Sequence, residues 1–461
     1  MLPVYSTAHR PYTSLQDFMN QNLPAGTPDR ALLEDLYHAA VAAVDPGPAV
    51  AGALMSGGHL AAARGHRLWI LALGKAALPM ADAAARLARA AGIVLAGGLV
   101  VAPALAPAVD AVLPVVMGDH PEPAESSLAA ATLLGQVAAR VAPGDHVWVL
   151  LSGGTTSLVG APIEGVPPAD LRELYRLLLG SGLDISAMNR IRKRFTRWGG
   201  GKLAVALGHA SVRQFVVSDV IGDDLPSIGS GPCSPDPTTA AHIRAALEAA
   251  MLWDRMPRSL RTLLTETERG MRPETPKPDH PVFASVITEI VSSNRLALEA
   301  AAVRAAALGL VVDVAPAPLD GEASTAGTSV AATLRNYSQA HGTQGSARRC
   351  VILGGETTVT LGDGHGLGGR SQELALAAAR ALAGTEGSSL LAAGTDGRDG
   401  PTDAAGAIVD GSTWAAIRAA GRDPARDLTR HDAYPALDAA GALFRPGLTG
   451  TNVMDIVIGL V

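Results

Sequence analysis

The 461-residue sequence is poor in cysteine, in lysine and in charge. Cys233 and Cys350 are its only cysteines and lie far apart, so they build neither a disulfide framework nor a metal-spaced motif. A reducing, cytoplasmic setting is the expectation. Lysine stands only at 75, 193, 202 and 277, against 33 arginines. A lysine kept where arginine is the default points to a need for a compact ammonium. Charged residues make up 17%, the net charge is −6, and no basic stripe stands out, which argues against nucleic acid as the partner. Long apolar runs are missing too. The longest uncharged stretch, Ala90 to Val109, is interrupted by Gly97, Gly98, Pro103 and Pro107, and reads as strand and loop rather than a membrane span. The first residues carry no apolar segment of the secretory kind, so no signal peptide is expected. The histidines form no H-x-x-x-H or H-E-x-x-H, which excludes the usual zinc hydrolases. No G-x-S-x-G elbow occurs. Gly199-Gly200-Gly201-Lys202 runs into Leu203, so it is not a Walker A loop.

What is present is a core and a rhythm. Apolar residues reach 48%, enough for a folded chain of two domains. Leu32, Leu33, Leu36, Ala39, Ala40 and Ala43 repeat at helical spacing, and Asp45-Pro46 stops them. Strands are predicted at Leu68–Leu73, Gly98–Pro103, Ala111–Val116, His146–Leu151 and Phe215–Ser218, with helices from near Ala76, over Ser126–Val141 and over Pro168–Leu179. Short apolar strands alternating with helices imply a parallel sheet covered on both faces. The segment Met251–Pro281 is charged and contains Pro257, Pro273, Pro276, Pro278 and Pro281, so it reads partly as a connector. A second series follows: strands at Val282–Val291, Gly309–Val314, Cys350–Leu353, Thr357–Leu361, Leu390–Ala393 and Val453–Leu460, and helices over Asn294–Leu308, Glu322–Tyr337 and Arg370–Leu382. The domains expected are 1–255, a linker at 256–281, and 282–461.

Five constellations carry possible chemistry. Lys75 follows a strand and a glycine, and Ser152-Gly153-Gly154-Thr155 follows another; small residues at a strand end let backbone N–H groups reach an anion. Asn189, Arg190, Arg192, Lys193 and Arg194 are followed by Lys202; arginine forks suit carboxylate and phosphate. Asp219, Asp223 and Asp224 follow a strand, where carboxylates hold Mg²⁺ beside phosphates. Glu356 precedes a glycine-rich loop that ends at Arg370. Gly364, Gly366 and Gly369 there fit G-x-G-x-x-G, but no acid at a strand end stands about 20 positions on, as a dinucleotide site wants. Asp396, Asp399 and Asp403 crowd a Gly/Pro-rich loop.

At these residues the chain resembles the glycerate 2-kinase family, whose C-terminal module is shared with proteins labelled hydroxypyruvate reductase. The resemblance runs through LALGKAA (71–77), LSGGTTSL (151–158), NRIRKRF (189–195), SDVIGDDLPSIGSGPCSPDPTT (218–239), GGETTV (354–359), GGRSQELAL (368–376), GTDGRDGPTDAAG (394–406) and TGTNVMDI (449–456). It implies two α/β domains, the N-terminal one a Rossmann-like parallel sheet with helices on both faces and the C-terminal one smaller and mixed, with the active site in the cleft between them. It implies ATP- and Mg²⁺-dependent phosphorylation of D-glycerate to 2-phosphoglycerate. Lys75, Asp219 and Arg370 carry over as the catalytic centre. Ser152, Gly153, Gly154, Asn189, Arg192, Glu356, Asp396 and Asp403 carry over as substrate- or phosphate-binding residues, and Asp219 and Glu356 as Mg²⁺ ligands. Small-molecule substrates are the expected partners, without nucleic acid or membrane, and a homodimer is the default assembly. Thr155 stands where the family has a third glycine, Ser371 where it has asparagine, and Arg197-Trp198-Gly199 replaces a segment ending in Ile-Lys. Two other readings stay open: an NAD(P)H-dependent hydroxypyruvate reductase, and a non-catalytic sugar-acid-binding protein.

Overall fold

A computed structural model describes residues 28–183, 185–341, 348–362 and 364–461. The chain divides into two compact units. One is Asp45–Ser293; the other joins Asn294–Val461 to the N-terminal residues up to Val44.

The first unit is built on six parallel strands: β1 (Arg67–Leu73), β2 (Val94–Ala102), β3 (Val115–Met117), β4 (His146–Leu151), β5 (Ser211–Val217) and β6 (Val286–Ser292). Their spatial order is β3-β2-β1-β4-β5-β6, the doubly wound order of Rossmann-like folds. Six of the seven β1 residues and all six of β4 are buried, as expected of central strands covered on both faces. Trp69, Leu71 and Leu73 face one layer with Leu134 of the helix Glu125–Ala138 and Leu203 of the helix Lys202–Leu207. The alternate residues Leu68, Ile70 and Ala72 face the other, where the helix Ala77–Ala90 packs. The direction of winding reverses between β1 and β4, so the loops after Leu73 and Leu151 open the crevice where such sheets bind ligands.

The second unit holds β7 (Val311–Val314), β8 (Arg349–Gly355), β9 (Ser389–Gly394), β10 (Gly406–Asp410), β11 (Leu443–Phe444) and β12 (Asp455–Leu460), in the order β11-β10-β9-β12-β8-β7. Only β7 and β8 pair in parallel; the other neighbours are antiparallel. The helices Ala323–His341 and Arg370–Leu382 pack with β9, β10 and β12 around Leu334, Leu376, Ala379 and Val457. The helix Pro28–Ala43 is held here by Tyr37, whose buried hydroxyl donates to the Gly394 carbonyl (2.7 Å).

Three local differences from the sequence reading have plain causes. The strand expected from Val282 starts at Val286 and is the sixth strand of the first sheet, because it pairs with β5. The stretch expected as a linker contains the helix Arg258–Glu268, whose Leu260, Leu263 and Leu264 join the core of the first unit with Leu171 and Phe195. Thr357–Leu361 is not a strand; its ladder is limited to one bridge, Glu322 to Thr358. Among the described residues no single helix is long and apolar enough to cross a membrane.

Candidate active site

In the first unit the loops at the β1/β4 reversal are stapled together by backbone bonds. The Lys75 amide donates to the Gly153 carbonyl (2.9 Å), and the Ser152 amide to that of Leu73 (3.0 Å). The Ser152 hydroxyl is buried and accepts from the Ala76 amide (3.0 Å). It is therefore engaged by the scaffold, and what it leaves exposed to a ligand is the Gly153-Gly154 turn it holds. Thr155 is likewise turned inward, its Oγ1 donating to the Ser152 carbonyl (2.8 Å).

Two sequence-predicted residues converge on this turn. The Asp219 carboxylate lies directly over Gly153: a Cβ there would stand 1.8 Å from Oδ2, so only glycine admits the carboxylate. The Lys75 side chain runs past Gly154, its Cγ 3.2 Å from where a Cβ would be, and the His120 ring lies 3.3 Å from the same point. The sequence reading did not single out His120, whose loop precedes the helix Glu125–Ala138. Partial burial, then the neighbouring Lys75, lower its pKa from the ordinary value and favour the neutral ring. A cation, a carboxylate and a neutral imidazole thus surround one glycine turn at a strand end.

Arg192 takes a different place. On the helix Ile185–Phe195, its guanidinium lies 4.5 Å from the Tyr175 ring centroid. Burial lowers its pKa, with Tyr175 and Glu122 opposing. Its Nε is buried without a hydrogen-bond partner, so the group retains capacity for a carboxylate. Asn189, one turn earlier, shares its helix face. Lys193 and Arg194 point elsewhere, into ion pairs with Asp236.

In the second unit the site centres on Arg370, the first residue of the helix Arg370–Leu382. Its Nε and Nη2 donate to Oδ2 (2.6 Å) and Oδ1 (3.0 Å) of Asp455, and its Nη1 to Glu356. Burial acts against the guanidinium charge, but Asp455 and then Glu356 more than offset it, and the pKa is raised. Asp455 opens β12, where Asn294 Nδ2 holds its carbonyl (2.9 Å). Burial pushes its carboxyl up to about 6, with Arg370 opposing. Asp399 accepts from the amides of Ser371 (3.2 Å) and Gln372 (2.8 Å), so it caps the helix that carries Arg370. Burial pushes Asp399 up to about 7, with those helix amides opposing. Asp396 stands near Asp455 and accepts from the Arg398 amide (3.0 Å). Asp403 does not join them: it is exposed, bound to Tyr434 (2.7 Å) and Arg445 (3.3 Å). Asp455 and His120 are the functional candidates that sequence reasoning missed; Asp399 is legible only as one acid of its loop.

The glycine loop before Arg370 is filled by protein. Gly366 abuts Asp432, the Leu367 amide donates to Asp432 Oδ1 (2.8 Å), and Gly369 abuts the Asp399 carboxylate. The next strand in sequence, β9, is separated from β8 by antiparallel β12. A dinucleotide fingerprint needs a helix N-terminus open to pyrophosphate inside a parallel βαβ unit, and this loop has neither.

These features define a two-unit α/β protein with an anion-suited turn at the reversal point of one sheet and a carboxylate-clamped arginine in the other unit. Residues 32–265 match a domain of unknown function (DUF4147), and 349–455 match the MOFRL family. The chain is 38% identical over 347 residues to glycerate 2-kinase of Pyrococcus horikoshii, covering 75% of this chain and 78% of that one. It is 37% identical over 431 residues, 93% of each chain, to an Agrobacterium vitis protein provisionally named hydroxypyruvate reductase. A crystal structure of glycerate kinase from Thermotoga maritima superimposes with a TM-score of 0.82 at 34% identity, covering 95% of this chain and 100% of that one. The chain belongs to the glycerate kinase family.

Proposed function

We propose that this enzyme transfers the terminal phosphoryl group of ATP to the 2-hydroxyl of D-glycerate, giving 2-phosphoglycerate and ADP. The observation that carries the reading is the convergence of Lys75 and Asp219 on the Gly153-Gly154 turn. A secondary alcohol is a weak nucleophile, and the Asp219 carboxylate is the group in that cluster suited to accept its proton. Lys75 supplies a point charge for the phosphoryl oxygens, and the turn supplies backbone N–H groups. Arg192, with Asn189 beside it, suits the glycerate carboxylate. Arg370 keeps two of its five N–H donors beyond those bound to Asp455 and Glu356, and these suit the charge that develops on the moving phosphoryl group.

The donor chemistry fits Mg²⁺. Among the described residues no three His, Cys, Asp or Glu side chains gather into a metal cage. Mg²⁺ beside a nucleotide takes one or two carboxylates and completes its shell with phosphate oxygens and water, so Asp219 at the Gly153 turn, or Glu356 in the other unit, would suit it. When bound it offsets phosphate charge. Asp396 helps shape the surroundings of Asp455 and Arg370, whereas Asp403 is spent on Tyr434 and Arg445. The two buried, free cysteines suit a cytoplasmic enzyme.

The test is a pair of assays on one preparation, D-glycerate with ATP and Mg²⁺ in one, hydroxypyruvate with NAD(P)H in the other. ADP formation dependent on glycerate, without nicotinamide oxidation, is the expected result. Nicotinamide oxidation with ATP untouched would replace this reading by the reductase.

A further inference from the structure

The first unit contains a cavity of about 690 Å³ whose lining holds none of the residues assigned above to phosphoryl transfer. It opens among the ends of the helices Ile185–Phe195 and Lys202–Leu207, the helix Arg258–Glu268 and the proline-rich segment 273–281. Its volume is that of a small-molecule site. Lys75, His120 and Asp219 are absent from its lining. Pro273, Pro276 and Pro281 fix the backbone of one wall. Two conspicuous features of the sequence, the basic run with its scarce lysines and the proline-rich stretch, meet here.

The charges in its walls are unevenly matched. Asp236, fully buried beneath, is shared by Lys193 Nζ (3.7 Å) and Arg194 Nη2 (3.9 Å). Glu274 serves Arg194 and Lys277 Nζ (3.3 Å). Arg272, on the lining, pairs with Glu266 (2.5 Å), and Glu164, Asp279 and His280 complete the titratable lining. Lys202 is left without a carboxylate among the described ion pairs. Its Nζ donates to the carbonyls of Lys193 (2.8 Å) and Arg194 (3.5 Å), which leaves one of three N–H donors unspent. The buried Arg194 Nε also lacks a partner. Burial, then Arg194, push the Lys202 ammonium down to about 7; Lys193 and Lys277 act the same way and Asp236 opposes them.

We infer that this cavity binds a small polyanion whose phosphoryl or carboxylate oxygens are received by Lys202, with Arg194 and Arg272 beside it. Filling the site supplies the anion that Lys202 lacks, so its pKa rises and binding takes up a proton. With a starting value of about 7, roughly nine-tenths of the amines are neutral at pH 8, and uptake approaches about 0.9 proton per site.

Isothermal titration of the full chain with inorganic phosphate, and separately with citrate, in two buffers of different ionisation enthalpy, tests this. Saturable binding with proton uptake is expected, to phosphate alone if the site prefers a phosphoryl group and to citrate alone if it prefers carboxylates. Lys202→Met removes the uptake and weakens binding about tenfold or more. Arg272→Ala, at the exposed edge of the lining, weakens binding severalfold and keeps the uptake, so the inference stays testable if Lys202→Met fails to fold. Absence of saturable binding for both anions at millimolar concentration overturns the proposal, as does binding without proton uptake that neither variant weakens.

Discussion

Arg370→Lys separates positive charge from the geometry of the guanidinium. In the native protein three N–H groups of Arg370 are spent on two carboxylates, a fork on Asp455 and a single bond on Glu356. A lysine ammonium keeps the charge but cannot span both partners. Asp455 is 6% exposed, so an unmet oxygen there is poorly replaced by water, at about 1–3 kcal/mol. The Glu356 side chain is 38% exposed, and water takes over its lost bond at about 0–1 kcal/mol. The stability loss should therefore be about 2 kcal/mol, a tolerable amount. The catalytic loss should be larger. The unspent N–H pair no longer points where Arg370 held it, and removing one such donor from a developing charge costs about 10²–10³ in turnover. Because the loss falls on the transition state, KM for glycerate should move by less than about threefold. Initial rates in a coupled ADP assay, alongside urea unfolding, measure both. Turnover within about threefold of the native value would remove Arg370 from the mechanism and refute the reasoning.

Gly153→Ala probes the close approach to Asp219. A Cβ 1.8 Å from Oδ2 must displace the carboxylate, so turnover should fall by about tenfold or more while unfolding shifts by about 1 kcal/mol; native turnover would mean that the Asp219 position does not matter. Asp399 gives a pH prediction. Its carboxyl is raised from 3.8 to about 7 in the folded state, which therefore binds more protons than the unfolded chain between those values, and stability falls as pH rises through that window by up to about 4 kcal/mol. Urea midpoints of Asp399→Asn should fall less steeply than those of the native protein between pH 5 and 8; parallel curves would refute the assignment.

Much of this architecture is legible locally. The helices Pro168–Leu179 and Arg370–Leu382 fall where the apolar spacing and the flanking proline and glycine put them. The parallel sheet follows from short apolar strands separated by helices, and its reversal point falls at the two glycine loops read as anion-suited. What escapes the sequence is non-local. Asp455 reaches Arg370 across 85 positions because β12 inserts between β8 and β9, and nothing near Asp455 announces that insertion. Asp399 was visible as an acidic residue in a crowded loop, but its role as a helix cap depends on a glycine 30 positions earlier. His120 gains meaning only beside Lys75 and Gly154. Ser152 illustrates the converse: a hydroxyl in a glycine loop suggests a ligand donor, yet it bonds the neighbouring loop because the two strands are adjacent in the sheet.

The most direct measurement is ³¹P NMR of the product formed from D-glycerate, ATP and Mg²⁺. The structure-based mechanism predicts one new monoester resonance, that of 2-phosphoglycerate, together with ADP, and its loss in Asp219→Asn. A 3-phosphoglycerate resonance would contradict the assignment of the acceptor hydroxyl, and undiminished product from Asp219→Asn would contradict the role of the carboxylate at the Gly153 turn.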